Sequence, residues 1–147
     1  MRRWLCRSEN ETRSLGRALA GELLPDRSLL VEGELGAGKT VLARGVAEGL
    51  EIEPAEVQSP TFTLVREHQG LGGRLFHLDL YRLEAGQVEE IGLDEVLAGP
   101  GIKVVEWPER LRRPPVGALR VRIVVGPFGV REIAELDGGT EVSQPEE

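Results

Sequence analysis

The sequence predicts an α/β fold in which a mixed central sheet is flanked by helices and completed by a C-terminal β-hairpin, and three observations carry that prediction. The apolar run Leu29-Leu30-Val31 precedes a glycine-rich string, and Leu42, Ala43, Val46, Ala47 and Leu50 then recur at helical spacing, giving strand, loop and helix in order. A second apolar run, Ile102-Lys103-Val104-Val105-Glu106, has the look of another buried parallel strand. Leu119 to Val125 and Val130 to Leu136, joined by Gly126-Pro127-Phe128-Gly129, form the hairpin.

The remaining elements follow from local chemistry. Trp4 to Cys6 makes a short opening strand. Ser8-Glu9-Asn10-Glu11 fits a capping box in which Ser8 and Glu11 satisfy each other's backbone donors, so a helix starts at Ser8. Its apolar stripe is Leu15, Ala18, Leu19 and Leu23, and Pro25-Asp26 ends it. Gly49 and Pro54 mark a break after the second helix. Ser59-Pro60 sets a turn, and Thr61 to Glu67 pairs with Arg74 to Tyr81 in a hairpin turned by Gly70, Gly72 and Gly73. Residues 84 to 98 contain one or two short helices broken near Gly92. Residues 1–137 are expected to form one domain and residues 138–147 a disordered tail.

The string between the first long strand and its helix is Gly33-Glu34-Leu35-Gly36-Ala37-Gly38-Lys39-Thr40, followed by Val41. The pattern G-x-x-x-x-G-K-[ST] builds a loop whose backbone N–H groups wrap a phosphate chain while the lysine reaches its outer oxygens. Lys39 is one of two lysines against sixteen arginines. An ammonium is a compact point charge, and the wider guanidinium fork is a poor substitute in that cradle. Chance gives on the order of one such string in several hundred chains of this composition. The fold is therefore a P-loop NTPase-like domain.

A nucleotide on such a loop needs Mg2+ to neutralise its phosphates. Thr40 is the expected first ligand, and a second contact comes from an acid ending a buried strand. Two are available, Asp79 and Glu106, of which Glu106 ends the more continuous apolar run. Asp79 is assigned a catalytic or metal-linked role. Thr61 lies where a nucleotide-responsive loop offers a hydroxyl to the γ-phosphate side. Trp107 either packs locally or meets a partner or substrate. His77 is read as a structural strand residue and His68 as a surface residue of the hairpin, because no second histidine or cysteine stands at metal spacing.

Composition narrows the alternatives. A formal net charge of −7 argues against nonspecific nucleic-acid binding over the whole surface. The one cysteine, Cys6, can form no internal disulfide and is expected in the core. No apolar run approaches the roughly 18 residues that span a bilayer, and the N-terminus has no signal-peptide pattern, so a cytoplasmic protein is expected. Guanine recognition by an Asn-Lys-x-Asp string is excluded, since the sole asparagine is Asn10 and no lysine is near it.

Gly33 to Thr40, Ser59 to Val65, His77-Leu78-Asp79-Leu80-Tyr81-Arg82, Ile91-Gly92-Leu93 and Glu106-Trp107-Pro108-Glu109 together resemble the TsaE (YjeE) family, over roughly residues 5 to 136. That family is the ATPase subunit of the bacterial machinery making threonylcarbamoyladenosine in tRNA. The resemblance implies ATP and Mg2+ as cofactors, and TsaB and TsaD as partners that carry the tRNA chemistry. It implies that residues 33–41 cradle the nucleotide, Lys39 contacts the phosphates, Thr40 and Glu106 hold Mg2+, Asp79 supports hydrolysis and Thr61 responds to the nucleotide. Adenine contacts would fall to Thr12 and Arg131. Val41 departs from the hydroxyl residue that many relatives carry there. Two other functions stay open: a small-molecule kinase, for which Arg110, Arg112 and Arg113 are the nearest lid-like arginines, and a binding module in which ATP only sets the shape of the 59–65 loop.

Overall fold

The computed structural model describes residues 1–58 and 64–136. Thr61 and its neighbours in 59–63, and the tail from 138 onwards, lie outside the described residues. Within them, seven strands form one sheet: β1 (Arg3–Cys6), β2 (Ser28–Gly33), β3 (Val65–Gly70), β4 (Gly73–Asp79), β5 (Ile102–Glu106), β6 (Leu119–Val125) and β7 (Arg131–Glu135). The order is β1-β7-β6-β2-β5-β4-β3. β2 runs parallel to β5 and β6, and β4 parallel to β5, while β1, β7 and β3 pair antiparallel at the flanks. The mixed sheet and C-terminal hairpin are as the sequence predicts.

Alternation along the central strands divides the core between two faces. Leu29 and Val31 of β2 face the layer built by α1 (Glu9–Leu23) and α2 (Lys39–Gly49), with Leu19, Leu42 and Val46. Leu30, with Val105 and Leu78, packs against the short helices α3 (Gln87–Glu90) and α4 (Leu93–Ala98) through Val88 and Leu97. β2 is buried from Ser28 to Glu32 and β5 throughout, as strands covered on both faces must be. Cys6 is buried in the first core.

Several expectations are corrected in detail. Ser8 caps α1 by accepting from the Glu11 N–H at 3.1 Å, but the Glu11 carboxylate reaches the N–H of Arg7, at 2.7 Å, not that of Ser8. The buried stripe of α1 is Thr12, Leu15, Gly16, Leu19, Ala20 and Leu23, and Ala18 is exposed. This stripe follows from how α1 meets α2: a Cβ on Gly16 would lie 2.5 Å from the Leu42 carbonyl oxygen, so the helices touch backbone to backbone.

The described strand β3 begins at Val65 and continues to Gly70, beyond the Glu67 expected from sequence, and β4 ends at Asp79. Gly70 and Gly73 oppose each other in the ladder, and Gly72 donates to the Leu50 carbonyl at 2.9 Å. These glycines let the hairpin press against the end of α2, where a Cβ on Gly70 would come within 2.1 Å of the Leu50 oxygen. His68 is buried, not exposed, with Glu56 of the 3-10 turn Pro54–Glu56 standing 3.9 Å from its Nδ1. Lys103, unremarked in the sequence, is 1% exposed and ties two chain segments by donating to the carbonyls of Asp26 and Gly99 at 2.8 and 2.6 Å. Among the described residues no helix is long and apolar enough to cross a membrane.

Candidate nucleotide site

The carboxyl ends of β2, β4 and β5 meet the amino end of α2, where open α/β sheets bind ligands. Gly36 and Gly38 hold left-handed backbone, with φ of 78° and 106°, which glycine adopts without a Cβ clash. Gly38 is the N-cap of α2, so the loop turns directly into a helix whose first N–H groups face the cleft. Thr40, at the second helical position, is thereby aimed along the end of β5.

Lys39 is 5% exposed. Its ammonium donates to the carbonyls of Gly33 at 2.6 Å and Glu34 at 2.9 Å, and stands 4.6 Å from the centroid of the Trp107 ring. Burial pushes this ammonium below the usual lysine range, opposed by the carboxylates of Glu106, Asp79, Glu109 and Glu34.

Glu106 is buried. Its Oε2 accepts from the Thr40 hydroxyl at 2.9 Å and lies 2.6 Å from His77 Nε2. Asp79 sits opposite Glu106 in the parallel ladder, lines the same cleft, and accepts from the Tyr81 N–H at 3.1 Å. Trp107 follows Glu106 in a left-handed conformation, φ 60° and ψ 53°. For a bulky residue this backbone costs on the order of 1–3 kcal/mol and persists where surrounding structure demands it. Here it turns the indole onto Lys39 and to 4.9 Å from the Tyr81 ring.

The cleft encloses about 530 Å³. Its lining brings together Lys39, Thr40, Asp79, Glu106 and Trp107 with Thr12, Val41, Phe128 and Arg131. Thr12 is buried and its hydroxyl donates to the Ser8 carbonyl at 3.4 Å. The Arg131 guanidinium braces the glycine-rich loop, donating to the carbonyls of Ala37 and Gly36 at 3.2 and 3.3 Å. Thr61 lies outside the described residues.

Two contributors escaped sequence reasoning. Phe128 is fully exposed, left-handed at φ 59°, and sits at the cleft rim, where the string Gly126-Pro127-Phe128-Gly129 signals a turn but not its neighbours. His77 is wholly buried against Glu106, a contact that depends on β4 lying beside β5. The lid-like arginines divide. Arg110 donates to the Tyr81 carbonyl at 3.3 Å, near Trp107. Arg112 and Arg113 line another cavity with Ser28 and Lys103, at the amino ends of β2 and β5, the opposite end of those strands from the glycine-rich loop.

Residues fit for Mg2+ are present. A hydroxyl and a carboxylate are hard oxygen donors, and two protein ligands suit an ion that keeps water and takes substrate phosphates. Among the described residues no group of three or more His, Cys, Asp or Glu is arranged to hold a metal.

Residues 6–127 match the family model described as "Threonylcarbamoyl adenosine biosynthesis protein TsaE". A tRNA threonylcarbamoyladenosine biosynthesis protein TsaE of Nostoc sp. is 40% identical over 129 residues, covering 84% of this chain and 78% of the relative. The protein of the same name in Streptomyces coelicolor is 45% identical over 116 residues, 76% of this chain and 77% of its own. The crystal structure of Bacillus subtilis YdiB superposes with a TM-score of 0.71 at 32% identity, covering 91% of this chain and 83% of that one.

Proposed function

This chain belongs to the TsaE family of tRNA threonylcarbamoyladenosine biosynthesis proteins, and we propose that it serves that pathway as a Mg2+-dependent ATP-binding protein and slow ATPase. The observation that carries the proposal is the Thr40 hydroxyl 2.9 Å from the Glu106 carboxylate, at the foot of a phosphate loop whose lysine is already held over it.

In this reading the N–H groups of residues 34–40 bind the phosphate chain, and Lys39 exchanges its bonds with the Gly33 and Glu34 carbonyls for phosphate oxygens. Thr40 and Glu106 hold Mg2+, which when bound supplies neutralising charge on the β and γ phosphates. Asp79, across the ladder from Glu106, orients the hydrolytic side. Trp107 excludes water from Lys39. The base is assigned to the part of the cleft lined by Thr12, Phe128 and Arg131, the last of which also braces the loop. Adenine is favoured because the sequence has no Asn-Lys-x-Asp string for guanine.

The RNA chemistry belongs to TsaB and TsaD, and this chain meets tRNA only through that complex. A net charge of −7 agrees with the indirect role. The kinase reading is weakened, since of its three arginines Arg110 alone stands near Trp107 while Arg112 and Arg113 lie at the amino ends of β2 and β5. The test is calorimetric titration of ATP with and without Mg2+, followed by turnover alone and with TsaB and TsaD added. Tight Mg-ATP binding, slow turnover and stimulation by the pair are expected. ADP release that depends on an added nucleoside or sugar acceptor would sink the proposal in favour of a kinase.

A further inference from the structure

We propose that His77 is the positioning residue of the site, fixing through Glu106 the carboxylate oxygen that shares a divalent cation with Thr40. The inference rests on the Mg-ATP reading above and adds a residue to it. His77 and Asp79 lie two apart on β4 and so project to one face, and the parallel register sets them beside Val104 and Glu106 of β5. The imidazole is wholly buried, and Glu106 nearly so.

Burying a carboxylate is costly unless donors surround it. Both described hydrogen bonds to Glu106 fall on Oε2: the Thr40 hydroxyl at 2.9 Å and His77 Nε2 at 2.6 Å. A carboxylate oxygen accepts, so the proton shared between the two groups is assigned to Nε2 of the ring. Among the described residues Nδ1 meets no partner. Among the described residues the ring therefore hydrogen-bonds to Glu106 alone, and that bond sets the rotation of the carboxylate. A donor behind a metal-binding carboxylate typically governs metal affinity by 10–100-fold on removal.

The test compares the full chain with His77→Leu, His77→Gln and His77→Asn, using Mn2+ as the probe with ATP equimolar to protein, and reading protein-held Mn2+ by electron paramagnetic resonance against a protein-free Mn-ATP blank. Circular dichroism checks the fold, and ATP affinity is measured separately without metal. His77→Leu is expected to weaken Mn2+ binding about 10–100-fold while leaving metal-free ATP affinity unchanged. His77→Gln, whose amide N–H falls near the position of Nε2, is expected to recover most of the loss, and the shorter His77→Asn is not. If His77→Leu fails to fold, the Gln and Asn pair decides alone. Equal Mn2+ affinity in all the folded proteins would overturn the inference while leaving the Mg-ATP reading intact. Absence of ATP-dependent Mn2+ binding in the unaltered protein would overturn both.

Discussion

Thr40 and Glu106 stand 66 residues apart in sequence, yet the hydroxyl of one donates to the carboxylate of the other at 2.9 Å. The contact exists because β5 lies directly beside β2 and both run the same way, which brings the end of β5 under the first turn of α2. Glu106→Gln keeps the shape and a hydrogen-bonding oxygen but removes the charge. Mg2+-dependent hydrolysis is expected to fall on the order of 10²-fold or more, with metal-free nucleotide binding retained. Steady-state turnover over a Mg2+ titration measures it, and unchanged turnover would remove Glu106 from the metal site.

Lys39 makes two charge-assisted bonds to the carbonyls of its own loop, each of the kind worth about 1.5–3 kcal/mol when fully satisfied. If these bonds pass to phosphate as proposed, Lys39→Ala is expected to weaken ATP binding roughly ten- to a hundredfold. Lys39→Arg is expected to restore little, because the guanidinium fork must fit between the loop and the Trp107 ring, 4.6 Å from the present ammonium. Parallel ATP titrations of the two variants check this, and an arginine variant that binds like the unaltered chain would refute the steric part.

What was legible in the sequence is what is decided locally. The strand, loop and helix from Ser28 to Gly49 could be read because the apolar run, the glycines and the helical spacing are adjacent. Glu106 was legible as the acid ending an apolar run. Its contacts were not, since neither Thr40 nor His77 can be placed beside it without the strand order. The burial of His68 is not legible in its strand, because the segment around Glu56 comes beside it only when the chain folds back. The left-handed turn at Trp107 breaks the local rule for a bulky residue, and it does so at the lysine it covers.

The contact between α1 and α2 makes opposite predictions for two glycines of α1. A Cβ on Gly16 would come within 2.5 Å of the Leu42 oxygen and 2.7 Å of the Gly45 Cα, both backbone atoms, whereas a Cβ on Gly21 would meet nothing within 4 Å. Gly16→Ala is therefore expected to destabilise by about 1–3 kcal/mol through forced separation of the helices. Gly21→Ala should stabilise by roughly 0.5–1 kcal/mol, since it only restricts the unfolded chain and improves helix propensity. Urea denaturation of both variants tests the pair, and equal midpoints would contradict the close approach.

Acid stability should depend on Arg2, whose guanidinium bonds Glu22 of α1 at 2.8 and 2.9 Å and Glu135 of β7 at 2.8 Å. Hydrogen bonds to Arg2 hold both carboxyls below their ordinary value of 4.5. Between that lowered native value and 4.5 the unfolded chain binds more protons than the folded one, so stability rises with pH through this window. The contribution is complete above 4.5 and disappears as pH falls through the native values. Both partners are partly exposed, so the effect is modest and weakened further by salt. Arg2→Met should flatten the slope of stability against pH below 4.5 and change little near neutrality. Thermal melts from pH 3 to 7 at low ionic strength measure it, and parallel acid limbs in the two proteins would show that the Arg2 bonds do not persist in solution.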